Sequence, residues 1–276
     1  MLVGTPIGNL DDLTPRAAAA LATAEIIACE DTRRTGRLLT HLGLAAPKLL
    51  VANDHTEPDV AHEVVERIAA GQRVVVVTDA GMPGISDPGE ALVRAVVDAG
   101  FAVEIVPGPS ALDTALVISG LPAGRFCFEG FLPRKGSARR ARLAAIAGEE
   151  RTVVVYEAPH RLQRTVADLH DVCGGDRRVA IVRELTKVHE EHWRGSLAEA
   201  RTMVDERTPR GEYVLVVDGA EPPAAADDGT LRAAFAAERA AGHSTRDAVD
   251  TVAERFGVPR RRVYELAIQA YTGTDV

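Results

Sequence analysis

The sequence predicts an α/β fold of two α/β domains followed by a small helical module, and three observations carry that expectation. Short β-rich runs alternate with helical stretches through residues 1–220. The run VVVV (74–77) is unbroken, as a strand buried on both faces of a parallel sheet should be. Residues 231–272 carry helix signals alone, past a Pro/Ala/Asp-rich stretch without periodicity.

Each element follows in order. Thr14 and Pro15 read as N-cap and first position of a helix through Ala24, and IIACE (26–30) reads as a strand. A helix from about Thr32 stops at Gly43. KLLVAN (48–53), a helix from Pro58 to Gly71, RVVVVTD (73–79), a helix from Gly89 to Gly100 and AVEIVPG (102–108) continue the alternation, which gives a first domain over 1–118. SGLPAG (119–124) is a Gly/Pro break and marks the boundary. Beyond it come FCFEGFL, a basic helix, RTVVVYEA, a helix from His160 to about Val172, RVAIVREL, EEHWRGS, a helix over LAEARTMVDE and GEYVLVVDG. These predict a second α/β domain over 119–220 with mixed strand directions. GAEPPAAADDG (219–229) reads as an exposed linker. In the module, 228–276, Ser244 or Thr245 opens a helix, Gly257 closes it and Pro259 opens the next. Arg260, Arg261 and Arg262 stand at that opening, so the pair resembles a helix-turn-helix with a phosphate-binding helix start.

Composition narrows the function classes. A chain of 276 residues, 46% hydrophobic, buries a sizeable core. No apolar run approaches a membrane span and no leader-like segment opens the sequence, so a cytoplasmic protein is expected, with no membrane partner. Cys29, Cys127 and Cys173 are far apart, which argues for buried thiols over disulfides or zinc. HEEH (189–192) lacks the i, i+4 histidine spacing of a zinc helix, so no metal is expected. The net charge of −8 argues against a general polyanion binder and requires any phosphate contacts to be local.

Three loops follow β-rich runs: GTPIGNLDDLTPRA (4–17), TDAGMPGISDPG (78–89) and PGPSALDTA (107–115). Glycines allow close backbone approach, and loops at the carboxyl ends of parallel strands are where open sheets bind ligands. The second loop has no lysine and no phosphate-cradle motif. An amine and hydroxyls suit Asp79 and Asp87 better. These loops, with ACEDTRRT, FEGFLPRKG, YEAPHR, VRELTKVHEE and GEYVLVV in this order, resemble the small-subunit rRNA methyltransferases of the tetrapyrrole methylase superfamily, the class III methyltransferases. The resemblance covers residues 1 to about 219 and extends to the helical tail. It implies a homodimer with S-adenosyl-L-methionine in the cleft between the two domains of each subunit. It further implies 16S rRNA or the small ribosomal subunit as partner, methylated on the ribose 2′-hydroxyl of a decoding-centre cytidine. Cofactor contacts carried over from the superfamily fall on Pro6, Thr78, Asp79, Met82, Ser110, Ala111, Tyr156, Leu185 and Thr186.

The chemistry needs little beyond alignment, because a sulfonium is already a good leaving group. Candidate bases are Asp31, Glu129 and Glu157, with His160 read chiefly as a cap for the helix after Pro159. Candidate RNA contacts are Arg33 and Arg34, with Arg37 in the same cluster, then Lys135, Arg139 and Arg140 in PRKGSARRAR, and Lys187. Arg142 reads as part of a solvated face, and Phe131 as the available stacking aromatic. Two other classes share part of this pattern. A corrinoid or porphyrin methylase needs the loops but neither PRKGSARRAR nor the tail, and a cofactor-sensing RNA-binding protein needs no turnover.

Overall fold

The computed structural model describes residues 1–53, 56–221 and 226–272. By contacts these fall into two compact units, Met1–Ala220 and Glu221–Val276. Part of the expected linker, residues 222–225, and the last residues of the module, 273–276, lie outside the described residues.

The first unit holds two five-stranded sheets. Strands β1 (Leu2–Val3), β2 (Ile26–Cys29), β3 (Lys48–Val51), β4 (Val74–Val76) and β5 (Ile105–Val106) form a parallel sheet in the order β3-β2-β4-β1-β5. Their connections are helices α1 (Pro15–Ala22), α2 (Thr32–His41), α3 (Glu57–Ala69) and α4 (Glu90–Asp98). Val3, Ile27, Cys29 and Val75 pack against Ala17, Leu21 and Leu39 of α1 and α2, whereas Leu2, Ile26, Ala28, Val74 and Val76 pack against Val64, Leu92 and Val96 of α3 and α4. That division follows from handedness. The chain moves one way along the sheet from β1 to β3 and the other way from β3 to β5, so right-handed crossovers put the two helix pairs on opposite faces. The neighbours β1 and β4 therefore feed helices on opposite faces, and the crevice at their carboxyl ends is the switch point where open α/β sheets bind ligands.

The sequence overstates two strands. RVVVVTD is a strand only over Val74–Val76, and AVEIVPG only over Ile105–Val106; the residues from Thr78 and from Pro107 belong to the site loops, and Ala102–Glu104 lie outside the strand. Glu57 anchors the far side of the second loop. It is buried, and Oε1 accepts from the backbone N–H of Gly89 (2.9 Å) and Leu92 (3.0 Å) at the start of α4, where an anion meets unsatisfied donors.

After α5 (Ala111–Ser119), strands β6 (Phe126–Phe131), β7 (Thr152–Glu157), β8 (Arg178–Arg183), β9 (Glu191–Ser196) and β10 (Tyr213–Val217) form a mixed sheet in the order β6-β7-β10-β8-β9. Only β6 and β7 are parallel; the other pairs are antiparallel. One face buries α6 (Gly136–Gly148), α7 (Leu162–Cys173) and α8 (Leu197–Asp205); the other buries α5 and Ile7 from the first loop. No helix among the described residues is long and apolar enough to cross a membrane.

The second unit packs α9 (Asp228–Ala240), α10 (Thr245–Phe256) and α11 (Arg260–Thr272) around Leu231, Val249, Val252, Val263 and Leu266. Ser244 caps α10, and Gly257 ends it in the left-handed conformation, as expected. The three arginines differ from expectation. Arg260 pairs with Asp250, Arg261 with Glu265 (2.7 Å) and Arg262 with Asp228 (2.9 Å), so each guanidinium already has an acid inside the module.

The basic helix also needs correction at one residue. Arg139, expected on phosphate, is only 3% exposed. Its Nε donates to Asp168 (2.7 Å), one terminal nitrogen to the Pro133 carbonyl (3.1 Å) and the other to Thr165 Oγ1 (2.9 Å). Helical periodicity turns every third or fourth residue of α6 inward, and Arg139 shares that face with Leu143 and Ile146. Lys135 and Arg140 are exposed and have no ion-pair partner among the described residues. Arg139→Ala should therefore lower stability by about 3 kcal/mol, because it strands buried polar partners, whereas Arg140→Ala should stay within about 0.5 kcal/mol. Urea unfolding of both variants checks the contrast.

Candidate active site

Three backbone segments are pulled together at the carboxyl ends of β1, β4 and β5. Thr5 and Gly81 exchange backbone hydrogen bonds (2.9 and 3.1 Å), and Thr5 Oγ1 donates to the Thr78 carbonyl (3.2 Å). Gly4 lies so close to the third loop that a Cβ there would stand 2.7 Å from Gly108 Cα, Gly108 N and Met82 Sδ. The Gly108 N–H points at Met82 Sδ, 3.3 Å away. Glycine is required here by space.

The loops and the second sheet enclose two adjoining hollows. The first, about 480 Å³, is lined by Ile7, Met82, Ser110, Ala111, Tyr156 and Leu185 with the strand ends Val182 and Val214. Its charged lining is Asp87, Glu157, Glu184 and Glu212, with His160 and no lysine or arginine. The second, about 420 Å³, is lined by Pro6, Thr78 and Asp79 together with Arg34, Arg37 and Lys187. Ile7, Ala80 and Glu212 belong to both. An apolar, acid-lined hollow suits a cationic ligand, and a neighbour in which Arg34, Arg37 and Lys187 outnumber Asp79 and Glu212 suits an anionic one.

The expected cofactor residues divide accordingly. Met82, Ser110, Ala111, Tyr156 and Leu185 meet in the first hollow, whereas Pro6, Thr78 and Asp79 form the wall of the second. Thr186 braces the first loop, its Oγ1 accepting from the Asn9 N–H (3.0 Å). Asp79 turns toward α2: Oδ1 accepts from the Asp31 N–H (3.2 Å) and Oδ2 lies 3.3 Å from Arg34 Nε. Burial pushes its carboxyl above the usual range against the pull of Arg34. Tyr156 packs edge-on against Phe128 and Phe131, with centroids 4.9 and 5.7 Å apart. Burial, aided by the charge of Asp87, pushes its phenol up to about 12, so it serves as a neutral hydrogen-bonding group.

Each candidate base stands beside an arginine. Asp31 caps α2 and accepts from Arg33 Nη2 (2.8 Å); those hydrogen bonds hold its carboxyl well below the ordinary carboxylate range, and such a group is a weak base. Glu129 lies 3.0 Å from Arg142, which is thus an ion-pair partner and not merely part of a solvated face, and Glu129 lines neither hollow. Glu157 lines the first hollow, yet Oε1 is 3.2 Å from Arg161 Nε and Oε2 accepts from Thr165 Oγ1 at 2.5 Å. That hydroxyl in turn accepts from Arg139, so Glu157 is the buried end of a chain Asp168–Arg139–Thr165–Glu157 that opens to solvent at Asp168. His160 lies in the single turn Pro159–Arg161 and lines the first hollow in place of its expected capping role.

Glu184 and Glu212 were not singled out from the sequence. Antiparallel pairing sets Tyr213, at the start of β10, opposite both Glu157 and Arg183, so the residues flanking it reach the same rim. Strand direction is the missing information. One signal was available, a glutamate at the end of the valine-rich run RVAIVRE.

The fold and the site define a methylase built from one parallel and one mixed sheet, and residues 1–201 match the family model of tetrapyrrole (corrin/porphyrin) methylases. The chain is 47% identical to ribosomal RNA small subunit methyltransferase I of Mycobacterium tuberculosis over 98% of its own length and 94% of that protein's. It is 44% identical to the protein of the same name from Synechocystis, over 97% and 96%. The crystal structure of the methyltransferase CobJ superposes with a TM-score of 0.61 at 26% identity, covering 79% of this chain and 93% of that one. The chain belongs to the tetrapyrrole methylase family, alongside the ribosomal RNA small subunit methyltransferase I proteins.

The Gly4–Gly108 contact yields a direct expectation. Gly4→Ala and Gly108→Ala should each lower stability by about 1–3 kcal/mol through overpacking. The double variant should lose less than the sum, because both methyl groups press on one contact. Denaturant midpoints of the three variants measure this.

Proposed function

We propose that this methyltransferase uses S-adenosyl-L-methionine to methylate the ribose 2′-hydroxyl of a decoding-centre cytidine in 16S rRNA. The observation that carries this reading is the pair of adjoining hollows of opposite electrostatic character. The first, apolar and acid-lined with no lysine or arginine, fits a ligand with a positive sulfur and an ammonium group; the second, rimmed by Arg34, Arg37 and Lys187, fits a phosphate-flanked nucleotide. Arginine and lysine at one edge of a cleft let an acidic chain hold a polyanion locally. The names of the relatives from Mycobacterium tuberculosis and Synechocystis support small-subunit rRNA as the acceptor. The family resemblance supports a cytoplasmic homodimer. In this reading residues 1–118 and 119–220 are the halves of the cleft, and 228–276 is a separable helical module.

When bound, S-adenosylmethionine supplies the methyl group as an electrophile on positively charged sulfur. Ser110 and Ala111 open α5 toward the ligand, Met82 and Leu185 give it apolar walls, and Tyr156 offers a neutral hydroxyl. Pro6, Thr78 and Asp79 fix the wall between the hollows, with Thr186 bracing the first loop. Arg34 and Lys187 fix the acceptor strand by its phosphates, with Arg33, Lys135 and Arg140 extending the contact; Arg139 takes no part. Because Asp31, Glu129 and Glu157 all stand in ion pairs, positioning of the hydroxyl accounts for most of the rate. A late proton loss to water or to a rim carboxylate completes the step.

The purified chain, incubated with methyl-labelled cofactor and bacterial small ribosomal subunits, should label 16S rRNA. A 2′-O-methyl group blocks the neighbouring 2′-oxygen from attacking the phosphodiester, so after alkaline hydrolysis the label should remain in a dinucleotide that begins with cytidine. Label in mononucleotides would place the methyl on a base, and label only in an added tetrapyrrole would favour the corrinoid and porphyrin class.

A further inference from the structure

Glu184, Lys187 and Glu212 form one cluster at the junction of the hollows. Lys187 Nζ lies 2.9 Å from Glu184 Oε1 and 2.7 Å from Glu212 Oε2. Glu184 Oε1 also accepts from the Glu212 N–H at 2.9 Å. Glu184 faces the first hollow, Lys187 the second, and Glu212 both. The backbone that carries them is held unusually: Glu184 (φ 51°), Thr186 (φ 63°) and Ser86 (φ 58°) are the non-glycine residues with positive φ among the described residues, and Glu184 and Ser86 line the first hollow. One ammonium group thus compensates two carboxylates at the edge of an otherwise cation-free hollow, and the same ammonium faces the hollow suited to phosphate.

We propose that Lys187 is a positioning residue through which phosphate bound in the second hollow strengthens binding of a cation in the first. With the second hollow empty of phosphate, the ammonium is shared by Glu184 and Glu212 and damps their field. A backbone phosphate beside Arg34, Arg37 and Lys187 draws the ammonium toward itself, and both carboxylates then act on the positive sulfur of S-adenosylmethionine. Coupling between two sites is reciprocal, so the cofactor strengthens RNA binding by the same factor. The demethylated product has neutral sulfur and feels the change less, so loss of the methyl group also loosens the hold on RNA. The identity of both ligands rests on the proposed function; the coupling itself rests on the cluster.

Calorimetry with saturating small ribosomal subunits tests it. Wild-type affinity for S-adenosylmethionine should rise about fivefold or more on adding subunits, and affinity for S-adenosylhomocysteine distinctly less. Lys187→Met should bind S-adenosylmethionine more tightly than wild type without subunits and gain less than about twofold from them, while Lys187→Arg should retain the gain. Glu212→Gln, which leaves the Lys187–Glu184 pair intact, should bind the cofactor more weakly in both states and show reduced coupling. A wild type without coupling, or coupling that persists in Lys187→Met, overturns the proposal; equal coupling for the two ligands overturns its charge basis. Coupling with no label transferred to rRNA would reject the proposed function and leave the role of Lys187 standing.

Discussion

Backbone-to-backbone contact at Gly4, Gly81 and Gly108 is the constraint from which the site follows. The strands that end there are short, and the loops beyond them carry few hydrogen-bonded ladder positions of their own. The Thr5–Gly81 bridge and the Gly4–Gly108 approach replace that ladder and hold three loops at one depth. Because β1 and β4 send their helices to opposite faces, the crevice between them stays open, and the second sheet can cover it with Val182, Val214 and Tyr156. Side chains at Gly4 or Gly108 would separate loops that must meet, whereas Gly81 is suited to glycine by its positive φ of 86°.

Charge then divides the cleft. The described structure joins most of its acids near the site to arginines: Asp31 to Arg33, Asp79 to Arg34, Glu129 to Arg142, Glu157 to Arg161. These pairs keep the surrounding field small, so the ions that face the hollows set its sign locally. On one side Asp87, Glu184 and Glu212 set three carboxylates against the single ammonium of Lys187, and on the other Arg37 and Lys187 stand at the rim. A net charge of −8 is compatible with RNA as a partner where positive charge is local, as at this rim.

Much of this was legible in the sequence, for physical reasons. The valine runs, the glycine loops after them and the Ser244 and Gly257 signals in the module depend on local chemistry, and the structure places strands, loops and helix ends accordingly. PRKGSARRAR looks uniformly basic in the sequence, and only the packing of α6 against α7 shows that Arg139 turns inward. The ion pair of Asp79 with Arg34 could not be read from the sequence, because the reach of Arg34 across the loop depends on tertiary placement. Glu212 escaped notice because its position depends on β10 running antiparallel to β7 and β8, and no local signal records direction.

The central claim is that the cofactor occupies the acid-lined hollow and the acceptor strand its cation-rimmed neighbour. Ultraviolet crosslinking of methyl-labelled S-adenosylmethionine to the protein, followed by peptide mapping, tests this most directly. Label is predicted on peptides carrying Met82, Ser110 and Ala111, or Tyr156, and added RNA should leave it undiminished or raise it. Label concentrated on Leu10, Arg34, Arg37 or Leu38, and displaced by RNA, would contradict it.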